Sequence, residues 1–244
     1  MAQHFLFARG LKLTASLACV FAITATFAFS QDEAPSFETS KVPQTAATAQ
    51  GFVPKGWKIE ETIKGDVNAD GKEDMLLKLI EDTPKKEGEF VERTRVLVIV
   101  VKDTNGGWRN AAVAPGVLQC ASCGGAFYGV VDAPADVTIE NKGVIAIGNE
   151  HGSRDVTETT MRFRWDAAAA KFILIGYDYA DRDRATGEAW SESTNYATGR
   201  RVTTTGKGKR NTTKITTVKK STDSIVDANY VDYEDAAAKR LGLD

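Results

Sequence analysis

The middle of the chain carries short apolar runs separated by polar turns. Two of these runs, DMLLKLIED at 74–82 and RTRVLVIVVKD at 93–103, are rich in β-branched and other branched residues. The segment TETTMRFRWD at 157–166 alternates instead, with its large apolar side chains on one face. Runs of this length between Gly, Asn and Asp turns predict strands, and alternation predicts a strand with one buried face.

Turn and helix signals extend this picture. The dipeptide Asn105-Gly106 follows the second apolar run and is a strong short signal for a hairpin. Helical character is confined to EDAAAKRLGL at 234–243. Strands at short intervals with few helices predict an all-β or β-dominated fold of antiparallel sheets, either a sandwich or a partial propeller, with a short C-terminal helix. We expect one β-rich domain over residues 51–244.

The first thirty residues have the pattern of a secretory signal peptide. Arg9 and Lys12 precede an apolar run at 13–29, and small residues occupy the −3 and −1 positions before Gln31. An uncleaved membrane anchor is the alternative, but the run is shorter than the about 20 apolar residues of a span. We therefore expect cleavage before Gln31, a periplasmic or secreted product, and no transmembrane segment after processing.

Residues 31–50 differ in composition from the rest of the chain. The segment QDEAPSFETSKVPQTAATAQ is polar and lacks apolar periodicity, which is typical of a flexible linker. Removal of residues 1–30 takes away two basic residues and no acidic one, so the net charge changes from −2 to −4. It also leaves His151 as the only histidine, which restricts any histidine-based acid–base mechanism to that residue.

The most informative motif is GDVNADGKED at 65–74. Oxygen-bearing side chains alternate in it around Gly71, and a tightly coiled loop with this spacing directs several oxygens at one calcium ion. The glycine permits the left-handed turn that such coiling needs. The predicted calcium ligands are the side chains of Asp66, Asn68, Asp70 and Asp74 and the backbone carbonyl of Lys72. Leu77 stands where a helix–loop–helix calcium site has a glutamate, so the motif predicts a structural calcium loop before a strand, with a metal-free polar turn as the alternative.

This motif and the strands after it, GDVNADGKEDMLLKL and RVLVIVVKDTNGGW, resemble one repeat of the FG-GAP/VCBS type. Members of that family carry a G-D-x-N-x-D-G-x-x-D loop ahead of a strand, and the resemblance implies the same calcium ligands within 66–74. It covers residues 62–110. A wider resemblance, through CGG at 123–125, LIG at 174–176 and NYATG at 195–199, is to small secreted bacterial proteins of unknown function, and it implies no activity.

Cys120 and Cys123 form a C-x-x-C pair. In an oxidising compartment the first interpretation is a local disulfide that fixes a loop. The second is a redox-active pair, which usually lies at a helix N-terminus, whereas the residues after Cys123 are glycine-rich and strand-like. The third is zinc, which needs about four ligands, whereas the mature chain adds only His151 to the two cysteines.

Two further regions carry candidate chemistry. Glu150, His151 and Arg154 lie in GNEHGSRDVTE and form a candidate ligand loop, with an ordinary exposed turn as the alternative. Residues 200–220 hold eight Lys or Arg and no acid. We favour a solvated edge hairpin whose lysines oppose edge pairing, with contact to an envelope polyanion as the alternative. Interleaved Thr rather than aromatic residues, together with export, argue against nucleic acid.

Together these features favour a secreted, calcium-stabilised, β-rich protein that acts as a binding or envelope-associated accessory protein for a polyanion or a protein partner. We assign no catalytic residue, because the sequence has no nucleophile motif such as G-x-S-x-G. One alternative is a periplasmic thiol–disulfide exchange protein that uses Cys120 and Cys123. The other is a calcium-dependent hydrolase that uses Glu150 and His151.

Overall fold

A computed structural model describes residues 37–82, 85–87, 90–129, 131–207 and 210–243. The predicted signal peptide lies outside these residues. Within them the chain forms two antiparallel sheets, one short hairpin and one C-terminal helix, which confirms the β-dominated fold. None of the described helices is long and apolar enough to cross a membrane.

The first sheet has five described strands. They are β1 (Thr45–Ala46), β2 (Trp57–Gly65), β3 (Asp74–Glu81), β6 (Arg95–Lys102) and β7 (Trp108–Ala114). Their spatial order is β1-β7-β6-β3-β2, and all neighbours are antiparallel. A separate short hairpin, between β3 and β6 in the chain, consists of β4 (Lys85–Glu87) and β5 (Phe90–Glu92).

Burial on both faces explains the uninterrupted apolar sequences of β3 and β6. Side chains alternate between the two faces along a strand. Leu77 and Val98 therefore pack in a core cluster on one face, and Leu76 and Leu97 pack in a second cluster on the other. A strand that is covered on both faces needs apolar residues at consecutive positions.

The segment before β2 covers one of these two faces. It contains two 3-10 helices, Thr39–Lys41 and Ala49–Phe52, and its strand β1 pairs with β7. Val42 and Phe52 are buried in the cluster on this face. Residues 37–50 thus differ from the flexible linker that their composition predicts, because a few apolar side chains in a polar sequence are enough to cover an adjacent hydrophobic sheet face.

The second sheet has seven described strands. They are β8 (Ala135–Glu140), β9 (Val144–Gly152), β10 (Asp155–Asp166), β11 (Lys171–Asp183), β12 (Glu188–Asn195), β13 (Arg200–Lys207) and β14 (Arg210–Thr217). Each strand pairs with its neighbour in the chain, so that β8 and β14 form the two edges. This arrangement is an antiparallel meander.

The two sheets pack on one shared hydrophobic core. Leu97 and Ile99 of the first sheet belong to the same cluster as Ile147, Met161 and Phe172 of the second. Of the two predicted architectures, this is the sandwich, in which the inner faces of two antiparallel sheets bury each other.

The C-terminal helix α1 (Tyr230–Leu241) begins a few residues before the predicted segment 234–243. The side chain of Asn229 accepts a hydrogen bond from a first-turn N–H group, and Gly242 ends the helix in the left-handed conformation at φ 74°. Ala237 is fully buried in the core that the two sheets share. The helix therefore adds to the cover of that core.

We expect Val42→Ala to lower the free energy of unfolding by about 2 kcal/mol, because it removes two buried methyl groups. Thr48→Ala is the matched control, since Thr48 is exposed in the same segment and its side chain does not cap the 3-10 helix that follows. It should change stability by less than about 0.5 kcal/mol. Urea unfolding of both variants measures the difference. Equal stability would contradict the packed position of residues 37–50.

Candidate functional site

The aspartate loop connects β2 to β3. It lies between Gly65, the last residue of β2, and Asp74, the first residue of β3, and these two residues pair with each other. Two of its residues take left-handed backbone conformations, Ala69 at φ 60° and Gly71 at φ 80°. A Cβ atom at Gly71 would meet nothing within 4 Å, so the glycine is needed for its backbone angle rather than for space. The two left-handed residues coil the chain tightly between the strands.

Three predicted ligand side chains turn back onto the backbone of this loop. Asp66 accepts hydrogen bonds from the N–H groups of Asp70 at 3.1 Å and Gly71 at 2.8 Å. Asn68 Oδ1 accepts from the N–H of Asp70 at 3.0 Å, and Asp70 Oδ1 accepts from the N–H of Lys72 at 2.9 Å. The hydrogen bonds hold the oxygens in place and leave each carboxylate with further acceptor capacity.

The donor set of the loop fits calcium. Asp66 and Asp70 offer carboxylate oxygens, Asn68 offers an amide oxygen, and the carbonyl of Lys72 would add a backbone oxygen. Such hard oxygens on a short loop suit calcium better than magnesium, which requires a near-ideal octahedron, or zinc, which prefers nitrogen and sulfur. The Nζ atom of Lys72 lies 4.0 Å from Asp70 Oδ2 and offsets part of the carboxylate charge.

Asp74 differs from the other predicted ligands because it is fully buried. Its Oδ2 accepts a hydrogen bond from the N–H of Val67 at 3.1 Å, and its Oδ1 accepts one from the N–H of Lys102 at 2.9 Å. Burial raises the pKa of Asp74, the two backbone hydrogen bonds lower it, and the nearby Asp70 and Asp66 raise it further. In the structure, Asp74 therefore connects the loop to the end of β6.

The aspartate loop also contacts the second sheet. Gly143, in the turn between β8 and β9, has φ 69°, and a Cβ there would lie 2.7 Å from the carbonyl oxygen of Asp66. A Cβ at Gly65 would lie 2.9 Å from the side chain of Ile139 in β8. The loop thus packs at a junction of the two sheets, and anything that orders it also orders that junction.

The sulfur atoms of Cys120 and Cys123 lie 1.96 Å apart, which agrees with the predicted local disulfide. Cys120 is buried, whereas Cys123 is exposed. A carboxylate oxygen of Glu92 lies within 4.8 Å of both sulfurs. The arrangement is not a metal site, because sulfurs joined in a disulfide are not the thiolates that bind zinc.

A buried polar network holds the segment that contains this disulfide. The N–H of Gln119 donates to Asn149 Oδ1 at 3.0 Å, and its side-chain amide donates to the carbonyl of Glu150 at 2.8 Å. Arg95 is 3% exposed, donates to the carbonyl of Ala133 at 2.8 Å, and forms an ion pair with Glu60 at 2.8 Å. The sequence gives no signal for this network beyond the position of Arg95 at the start of an apolar run.

The candidate ligand loop is dispersed in the structure. Glu150 Oε1 accepts a hydrogen bond from the hydroxyl of Tyr128 at 2.8 Å. His151 Nε2 lies 2.8 Å from Glu234 Oε1 of α1, and Arg154 bonds Asp183. Glu150 and His151 are consecutive residues of β9 and so point to opposite faces, and the structure does not bring the three side chains together.

Polar side chains that the sequence analysis did not single out bind α1 to the second sheet. Glu192 of β12 is almost fully buried and accepts two hydrogen bonds from Arg240 of the helix, at 2.7 and 2.6 Å. Arg201 Nε lies 3.2 Å from the same carboxylate. Together with the pair of His151 and Glu234, these contacts place charged groups at both ends of the helix face that meets the sheet.

Comparison of the chain with protein-family models, with curated proteins and with solved structures finds no match.

The pair of His151 and Glu234 gives the protein a pH-dependent contribution to stability. The hydrogen bond to Glu234 raises the pKa of His151. Stabilisation by the protonated pair is therefore complete below the ordinary pKa of about 6.5 and is lost as the pH rises through the folded-state pKa. We expect the free energy of unfolding to fall as the pH rises above about 6.5, by about 1 kcal/mol or less because the pair is partly exposed.

Urea unfolding across this pH range measures the effect. His151→Gln and Glu234→Gln should both flatten the profile, since each removes one partner of the ion pair. The carboxyl of Asp181 also raises the pKa of His151, so Glu234→Gln should keep a weak pH dependence that His151→Gln lacks. An unchanged pH profile in both variants would contradict the ion pair.

Proposed function

We propose that this chain is a calcium-stabilised, β-rich binding protein of the secreted or periplasmic class. The observation that supports the proposal is the coiled loop between β2 and β3, whose carboxylate and amide oxygens lie where the two sheets meet. The sequence pattern of a signal peptide supports the compartment. A calcium ion would neutralise the carboxylates of Asp66 and Asp70, and it would stabilise the entrance to β3.

A binding role is favoured over catalysis by how the polar groups are used. His151 is paired with Glu234, Asp74 with backbone N–H groups, and Glu192 with Arg240. Each of these groups joins two elements of the fold, which is a structural task. The envelope polyanion and the protein partner remain the two partner classes of this proposal.

Calcium should raise the melting temperature of the wild-type protein. At a concentration one hundred times the Kd the stabilisation is about 2.7 kcal/mol, which corresponds to about 5–10 °C for a domain of this size. Asp70→Asn should lose most of this increase, because it removes a charged ligand. Without calcium it should melt at or above the wild-type temperature, because it also removes charge repulsion.

Thermal unfolding in EDTA, in calcium and in magnesium at equal concentration measures these effects. Asp132→Asn is the matched control, since Asp132 is an exposed aspartate outside the loop, and it should respond to calcium like the wild type. Identical wild-type melting curves with and without calcium would refute the calcium proposal.

Thiol–disulfide exchange is the second candidate function. The exposure of Cys123 favours it, because an incoming thiolate needs access to a sulfur atom. The carboxylate of Glu92 opposes it, because a nearby negative charge disfavours a thiolate. The glycine-rich 3-10 helix Gly125–Phe127 that follows also lacks the longer helix that usually activates such a pair.

The reduction potential of the pair separates the two functions. We expect a value below about −300 mV, as for a structural disulfide, whereas an exchange protein would lie nearer about −200 mV. Equilibration in dithiothreitol redox buffers followed by thiol trapping gives the value. Glu92→Gln should leave the activity in an insulin-reduction assay at background, and strong turnover in that assay would support exchange instead.

A further inference from the structure

The second sheet carries both paired and unpaired cations. Four arginines in or next to its strands meet carboxylates within 3.3 Å. These pairs are Arg154 with Asp183, Arg162 with Asp178 and Glu140, Arg182 with Glu158, and Arg201 with Glu192. By contrast, the following exposed cations form no ion pair with any residue that the structure describes: Arg164, Arg200, Arg210, Lys214, Lys219 and Lys220.

Two of these unpaired cations line a cleft of about 240 Å³. Arg164 contributes from the end of β10 and Lys220 from the segment that follows β14. Trp165, Tyr196, Ser221 and Asp166 also line the cleft. Asp166 Oδ1 accepts hydrogen bonds from two backbone N–H groups, at 2.9 and 3.0 Å, and the two cations outnumber this carboxylate. The indole of Trp165 packs 5.0 Å from the ring of Phe172, which fixes its orientation.

The chemistry of this cleft suits an acidic sugar. Guanidinium and ammonium groups bind a carboxylate or sulfate through charge-assisted hydrogen bonds. The flat faces of Trp165 and Tyr196 offer apolar contact to the carbon-bound face of a sugar ring, and Ser221 offers a hydroxyl. An inorganic anion has no apolar face to place against the two rings.

The edge strand β14 carries further cations on the other face of the sheet. Lys214 pairs with Thr203, which pairs with the buried Glu192, so Lys214 lies on the face that holds the core. Arg164 alternates with the buried Phe163 along β10 and lies on the opposite face. The cations of β14 therefore do not continue the surface around Arg164.

We propose that this end of the second sheet binds an acidic polysaccharide, with one acidic sugar in the cleft. The proposal rests on the binding function above and names its ligand class. It depends on the cleft and the unpaired cations and not on the calcium loop.

Calorimetry with carboxymethyl dextran at low salt tests the proposal, with unmodified dextran as the uncharged analogue of the same sugar chain. We expect saturable binding of the carboxymethylated polymer that weakens as salt rises, and at least about tenfold weaker binding of dextran. Absence of binding to carboxymethyl dextran at low salt would refute the proposal.

Variants locate the site. The double variant Arg164→Gln/Lys220→Gln should weaken binding by at least about tenfold. The control Lys55→Gln/Arg109→Gln removes one lysine and one arginine from exposed positions before β2 and in β7, neither of which forms an ion pair with a described residue, and it should stay within about twofold of the wild type. Equal loss in both double variants would overturn the assignment to the cleft.

Two further measurements distinguish recognition of the sugar rings from recognition of negative charge alone. Tyr196→Leu should weaken binding of carboxymethyl dextran and not that of polyglutamate, which carries carboxylates without sugar rings; circular dichroism confirms that the variant is folded. Tighter binding to polyglutamate, to phosphatidylglycerol vesicles or to duplex DNA than to carboxymethyl dextran would overturn the saccharide in favour of that ligand. Asp70→Asn should bind like the wild type, so failure of the calcium proposal and failure of this one are distinguishable.

Discussion

The fold depends on the burial of β3 and β6 on both faces. Both strands carry apolar side chains in both directions, so the first sheet has two hydrophobic faces that must be removed from water. The second sheet and α1 cover one face, and the segment from Phe37 to Trp57 covers the other. Asp74 is the first residue of β3. Its carboxylate accepts a hydrogen bond from the N–H of Lys102, which fixes the aspartate loop to β6. The candidate calcium loop is therefore attached to the most deeply buried part of the sandwich.

Buried charges specify how the remaining elements attach to this core. Arg95 is paired with Glu60 and donates hydrogen bonds to the carbonyls of Gln119 and Ala133, on either side of the disulfide. Glu192 is paired with Arg240 and so attaches α1 to the second sheet. The desolvation cost of such pairs offsets much of their attraction, so their net contribution to stability is small. Loss of one partner is costly, however, because it leaves the other charge buried and unpaired. Each pair thus favours one arrangement of its segment over its alternatives.

The sequence predicted those features that depend on local pattern. Apolar runs predicted β3 and β6, and the spacing around Gly71 predicted the left-handed turn of the loop, because both signals lie within a few residues. The pair of His151 and Glu234 joins residues 83 positions apart, and no local signal predicts such a contact. The linker prediction was wrong for residues 37–50. Average composition does not show that a single apolar side chain, Val42, is buried against a hydrophobic face of the first sheet.

Protection of the sheet edge explains only part of the cationic surface. Lys214 lies on the edge strand β14, where a charge opposes pairing with another chain. Arg164 lies instead on β10, an interior strand, and Lys220 lies beyond β14, so neither protects that edge. Arg182, on the neighbouring interior strand, has a carboxylate partner. The cleft that Arg164 and Lys220 line also contains Asp166, whose Oδ1 accepts two backbone hydrogen bonds. Neither cation forms an ion pair with a residue that the structure describes. An external anion explains these two cations beside two aromatic rings better than the stability of the fold does.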